Sequence, residues 1–228
     1  MFHLIGSALA EEAGATPEPG FWAEVAKRFG DLGATGWITL ITLAVLALVI
    51  IGMSVTRKAW NAHSLAYAAL CMALGFVLSF VKLFEMPQGG SVTLASMLPI
   101  MLFAAAYGVG PGLLVGATYG LLQYLQGGWF VHPIQFLLDY PLAFAMIGLA
   151  GLHRYMPKSW SKWSLYLAMV IGALGRACSA TLAGILYWET APWASLVYNG
   201  TYLIPDTLIC IVLAIFVAPR VMKLMRSK

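Results

Sequence analysis

Asp139 is the side chain whose chemistry most needs a reason. It lies in "FLLDYPLAF", residues 136–144. No Asp, Glu, Lys or Arg occurs between Met86 and Leu138, and none follows until Arg154. A charge placed in so apolar a run costs roughly 3 kcal/mol or more unless it has a partner or a water-filled cavity. Tyr140 follows it directly, and Trp129 and Phe130 precede it by ten and nine residues. Tyr187, Trp188 and Trp193 lie at the same depth, at the end of a different apolar block. One carboxylate among aromatic faces suits a desolvated organic cation. Asp139 could instead be a structural acid, bonded to a serine or backbone group of a neighbouring helix, or simply protonated. The Trp residues could equally form an interfacial belt.

Other polar residues in apolar surroundings are few. Asn199 follows Tyr198 in "VYNGTYLIPD". Its amide can orient a ligand or link two helices. Arg176 and Asp206 fall at compatible depths in adjacent blocks, where an ion pair is the natural arrangement and a structural role outweighs a catalytic one. Pro205 is placed to bend the last block. In "LAYAALCMALGF", Ala69 and Ala73 are four apart and share one helical face. Such small-residue faces admit another helix closely, either a partner's or one from the same bundle.

Catalysis has little support. His3, His63, His132 and His153 sit in loops or at block ends, and no HExxH, GxSxG or paired carboxylates occur. Cys71, Cys178 and Cys210 lie inside apolar blocks without metal-ligand spacing. "GVGPG" is followed by no Gly-Lys-Ser/Thr, so it is not a nucleotide loop. Neither an enzyme nor a metal site is expected.

The elements that must carry these groups follow from composition. Of 228 residues, 61% are hydrophobic and only 10% charged. A soluble domain carries about 25% charged residues. The solvent is therefore lipid, and the apolar residues fall in blocks near the ~20 residues that cross a bilayer. Seven such blocks are read at 36–55, 64–83, 93–108, 111–126, 134–151, 163–188 and 197–218. The third and fourth are short, share the hinge "GVGPG", and could be tilted or partly spanning. Continuous rather than alternating apolarity selects helices over a barrel.

Charge orients the spans. Arg57, Lys58, Arg154, Lys158, Lys162, Arg220, Lys223, Arg226 and Lys228 fall on one side, nine of thirteen Lys and Arg. That side is cytoplasmic, which places the N-terminus outside and the C-terminus inside the cell membrane. The net charge of +4 reflects this topology rather than nucleic-acid binding. Loops 85–92, 127–133 and 189–195 then face outward together. The expected organisation is an external tail over 1–35, an extra span over 36–58, a membrane domain over 59–219 and a basic cytoplasmic tail over 220–228. Within the tail, 21–32 could form an interfacial helix or stay flexible.

Four stretches in order, "MPQGGSVTLASMLPI", "YGVGPGLLVGATYGLLQYLQGG", "VHPIQFLLDYPLAFAMIGLAGL" and "YNGTYLIPD", resemble the thiamine-specific substrate-binding subunits of energy-coupling-factor vitamin transporters, the ThiT family. The match runs from about Ser64 to Ile215. It implies an all-α membrane protein, a six-helix bundle, with the first span added outside the usual six. It implies thiamine bound from outside, no cofactor held by this chain, and ATP used by two ATPase subunits that act with a membrane coupling protein. By this resemblance Asp139 and Tyr140 match the family's acid–Tyr pair, and Trp129 an aromatic ten residues earlier. Gly184 and Trp188 match the next-to-last helix, Asn199 the last, and Ala69 and Ala73 the docking face. His132, Gln135, Tyr187 and Tyr198 complete the expected ligand shell. Where some members carry Trp, His and Tyr, this chain has Gly90, Ala180 and Ala194.

The implied ligand fits the residues. Thiamine has a permanently positive thiazolium and a flat aminopyrimidine. Asp139 would offset the charge, the rings would stack, and Asn199 and His132 could read polar edges. Nanomolar binding needs about 12 kcal/mol, so several such contacts must coincide. The alternative is a stand-alone, proton-coupled vitamin transporter with Asp139 or Asp206 carrying the proton.

Overall fold

The computed structural model describes residues 60–87, 89–160, 163–188 and 190–226. The expected external tail, the extra span and Arg57 and Lys58 lie outside the described residues. Among the described residues the chain forms six helical segments and one short hairpin.

Helix α1 covers Ala62–Ser79. Asn61 starts it with a reciprocal cap: its side chain accepts from the Ser64 N–H at 2.8 Å, and its own N–H donates to Ser64 Oγ at 2.9 Å. That satisfies donors a helix start leaves bare. The block read as apolar to residue 83 stops being helical at Ser79. Lys82–Glu85 (β1) instead pairs antiparallel with Ser91–Thr93 (β2). The turn between them uses Gly89 at φ +93°, a conformation that favours glycine. The described residues are mostly helical, and this two-stranded hairpin is the addition that the sequence reading lacked.

Helix α2, Leu98–Tyr107, has ten residues, nine of them buried. At about 15 Å it is too short to span a bilayer. A helix apolar on every side belongs inside, and α2 packs against α1 and the helical segments Val109–Tyr124, Ile147–Tyr155 and Pro192–Arg226. It ends at Gly108, φ +106°. Two guanidinium groups meet its last carbonyls: Arg154 Nη1 donates to Ala106 O at 3.1 Å and Arg226 Nη2 to Ala105 O at 2.9 Å. Cations there also match the negative end of the helix dipole.

Helix α3 is Val109–Tyr124. Gly112, Gly116 and Gly120 recur every fourth residue and face helix α4, Pro133–Tyr155. A Cβ on Gly116 would come within 3.1 Å of the Ala145 Cα, and one on Gly120 within 2.7 Å of the Tyr140 carbonyl carbon. Only glycine lets the two backbones approach this closely.

Helix α4 changes winding along its length. His132 caps its start, its ring Nδ1 accepting from the Ile134 N–H at 3.2 Å, and Pro133 takes the first position. Pro141 then lies inside the helix without an N–H to give, and Leu138–Leu142 widen into a π turn. Ser179 of the next helix donates to the Leu138 carbonyl there at 2.6 Å. From Ile147 to Tyr155 the winding tightens to 3-10.

Helix α5 is Ser164–Tyr187 and α6 is Pro192–Arg226. Residues expected as a basic tail from 220 are helical as far as Arg226, so Arg220, Lys223 and Arg226 occupy the end of α6. Pro205 lies inside α6. Helices α1, α4, α5 and α6 are long and apolar enough to cross a membrane; α2 and α3 are shorter. Six full-length spans are thus not what the bundle contains, because its centre is a half-length helix with no lipid-facing side.

Candidate ligand site

The Asp139–Tyr140 pair sits in the π turn of α4, directly where Gly120 of α3 presses on the Tyr140 backbone. Gln135, one turn earlier, donates from Nε2 to Asp139 Oδ2 at 2.7 Å. The same nitrogen donates to the Trp129 carbonyl at 3.3 Å, and Gln135 Oε1 accepts from the Val131 N–H at 3.0 Å. The Trp188 indole is a further hydrogen-bonding neighbour of the carboxylate. Trp129 and Trp188 meet edge to face, centroids 6.3 Å apart at 87°. Tyr140 Oη accepts from the Trp129 N–H at 2.8 Å. Asp139, Tyr140, Trp129, Trp188 and Gln135 are therefore one cluster. Its acid lies in a group with two exposed indoles.

Around it stand a rim and a lid. His132 and Tyr187 stack on each other, 4.8 Å apart and nearly parallel. Tyr124 packs edge-on against Tyr140 at 5.2 Å. The hairpin turn reaches over from the opposite side. A Cβ at Gly89 would lie 3.5 Å from Trp129 Nε1, and the Gly90 N–H donates to Tyr198 Oη at 3.0 Å. A side chain at Gly90 would run into the Tyr202 ring at 2.6 Å. Gly90 is thus the residue that lets the hairpin settle onto α6, and the bulk some relatives are expected to carry there has no room. Tyr198 and Tyr202 also pack on each other, ring centroids 5.8 Å apart.

Other expected residues are placed differently. Asn199 is only 4% exposed, and both ends of its amide are used inside α6. Nδ2 donates to Ser195 O at 2.9 Å, and Oδ1 accepts from Tyr202 Oη at 2.7 Å. Both of these bonds stay within α6, and each amide end keeps further bonding capacity. Gly184 is where α5 meets Ser195 of α6, whose Oγ also donates to Thr181 O at 3.0 Å. Ala180 is buried and Ala194 exposed. Ala69 and Ala73 are both exposed, beside exposed Leu65, Leu70 and Val77, so among the described residues that face of α1 is not internal packing.

The expected Arg176–Asp206 ion pair is not formed. Asp206, 1% exposed, accepts through Oδ1 from the Thr93 N–H at 3.0 Å and Thr93 Oγ1 at 2.9 Å. Arg176 lies over the Phe144 ring at 4.1 Å and approaches the Met97 sulfur at 2.9 Å. A backbone donor at the root of the hairpin satisfies the acid more locally than a long guanidinium arm, and the arginine finds an aromatic face instead.

Sequence reasoning missed Tyr124, Tyr202, Thr93 and the α3 glycines. The glycines had a readable signal in their 112, 116, 120 spacing; Thr93 and Tyr202 had none without the hairpin. A separate apolar groove between α5 and α6, lined by Ala177, Val197, Gly200 and Ile204 among others, shares no residue with the Asp139 cluster.

Known proteins match over this same region. The profile of the thiamine transporter protein family (Thia_YuaJ) covers residues 65–226. The thiamine transporter ThiT of Bacillus subtilis is 36% identical over 176 residues, 68% of this chain and 91% of that protein. ThiT of Lacticaseibacillus paracasei is 27% identical over 166 residues, 64% and 79% of the two chains. A solved structure of ThiT from Listeria monocytogenes superposes with a TM-score of 0.61 at 25% identity, covering 71% of this chain and 96% of that one. These relatives are transporters rather than enzymes. With the matched region spanning the whole described bundle, the chain is a multi-pass membrane protein that belongs to the thiamine transporter family.

Proposed function

We propose that the chain is the high-affinity thiamine-binding subunit of an energy-coupling-factor uptake system. The observation that carries this reading is the Asp139 carboxylate bonded by the Gln135 amide, beside Trp188, whose ring meets that of Trp129 edge to face. A permanently charged, flat heterocycle is the ligand such a group would recognise: the carboxylate offsets the thiazolium charge while Trp129 and Trp188 offer faces to its rings. Thiamine is also the cargo named in both curated relatives. In this reading the hairpin end faces outside and the end carrying Arg154 and Arg226 faces the cytoplasm, in keeping with the positive charges gathered there. The exposed Ala69–Ala73 face of α1 receives the membrane coupling protein, and two ATPase subunits supply the energy. This chain itself holds no cofactor.

The direct test is calorimetric titration of the purified protein with thiamine. Binding at nanomolar to low-micromolar Kd supports the proposal, and no heat with thiamine, at any concentration the protein tolerates, removes it. The role of the coupling partners is tested separately by uptake. Proteoliposomes holding this chain alone should not accumulate thiamine. Accumulation by the chain alone, abolished by an uncoupler, would favour proton coupling instead.

A further inference from the structure

Gln135 is fully buried, 0% exposed, so it does not belong to the surface a ligand touches. Its amide nevertheless joins the aromatic loop to the acid. An amide offers two N–H donors and an acceptor oxygen. Here Nε2 faces two acceptors, Trp129 O and Asp139 Oδ2, while Oε1 faces one donor, the Val131 N–H. The reverse amide orientation would place oxygen against oxygen twice. The loop backbone therefore fixes which way Gln135 points, and Gln135 fixes one carboxylate oxygen. The i, i+4 spacing brings the two side chains together on one helical face, even across the widened turn.

We propose that Gln135 is a positioning residue for ligand charge: it holds Asp139 Oδ2 so that the other oxygen is presented to the cation. This rests on the thiamine-binding reading above. A plain structural role, satisfying the loop backbone at Trp129 and Val131, would lower stability without distinguishing a charged ligand from a neutral one. A positioning role discriminates between them.

The experiment measures Kd by tryptophan fluorescence for thiamine and for an uncharged analogue with a neutral ring in place of the thiazolium. Proteins are wild type, Gln135→Met, Asp139→Asn and the double variant. Gln135→Met should weaken thiamine about 10- to 100-fold and the neutral analogue less than about threefold. In the Asp139→Asn background the same change should cost less than about threefold, because the two residues act as one unit. Gln135→Glu supplies the rescue. At pH 5 two adjacent carboxyls keep a shared proton, which restores a donor to Asp139, so thiamine affinity should return to within about fivefold of wild type. Equal losses for both ligands, multiplying losses in the double variant, or no rescue by Glu each overturn the proposal. Should Gln135→Met fail to fold, Gln135→Glu decides alone, and a tenfold or greater loss at pH 5 overturns it. Failure of the underlying reading looks different: wild type would not bind thiamine, or Asp139→Asn would bind it as wild type does.

Discussion

At the scale of single residues, the site is a problem of satisfying one acid in a place where water is scarce. Asp139 has a donor in Gln135 and an indole beside it, yet no cation of the protein's own pairs with it among the described residues. Asp139→Asn keeps the shape and removes the charge. It should weaken thiamine by about 2–5 kcal/mol, roughly 30-fold to several thousandfold, while the protein still purifies as a folded species; calorimetry reads the outcome, and unchanged affinity would take Asp139 out of the site. Asp206 has a different task. It satisfies both donors of Thr93 at the hairpin's root, so Asp206→Leu should cost about 1–3 kcal/mol of stability through a stranded N–H, seen as a lowered melting temperature in detergent. The contrast explains what was legible. A carboxylate alone in fifty uncharged residues is conspicuous in the sequence, and so were the rings near it. The partner of Asp206 was not, because a buried acid takes whichever donor the fold brings nearest, and the donor here belongs to a strand read as the end of a loop and the first residue of an apolar block. The bonds of Asn199 to Ser195 and Tyr202 within its own helix were likewise not readable from the sequence.

At the scale of elements, α3 and α4 act as a pair. The glycine edge of α3 lets the backbones close to contact, and Pro141 opens the wide turn that carries Asp139 and Tyr140. Pro141→Ala would return the missing N–H and permit regular winding, which turns Asp139 by about 100° per residue of register. Thiamine affinity should fall by about tenfold or more with little loss of thermal stability, measurable on the same samples. Gly120→Leu should do the reverse in emphasis: a side chain forced against the Tyr140 backbone costs about 1–3 kcal/mol or more in overpacking, so melting temperature and binding fall together. Helix number and order were largely readable from apolar blocks. Helix lengths were not, since hydropathy cannot tell a lipid-facing span from α2, which is apolar because other helices surround it.

At the scale of the molecule, the candidate ligand cluster and the small-residue face of α1 lie apart. The Asp139 cluster lies at the hairpin end, whereas Ala69 and Ala73 lie on the open side of α1. Replacing both alanines with Trp should leave the thiamine Kd within about threefold, because neither touches the site, and should abolish uptake in cells that hold the complete system. Retained uptake would detach that face from transport. Family membership was legible because several motifs recur in order; that the two groups of residues lie on different faces needed the bundle.

The arginine-capped end of α2 has a consequence for how such a molecule can open. Ala105 and Ala106 present helix-end carbonyls that water would otherwise serve, and Arg154 and Arg226 take water's place. Parting the bundle there strips a dipole of its counter-charge, whereas lifting the hairpin at the far end would part Thr93 from Asp206 and Gly90 from Tyr198 of α6. The two ends are therefore fastened by different chemistry: guanidinium charge on helix-end carbonyls at one, and a strand's donors on a buried acid and a phenol at the other.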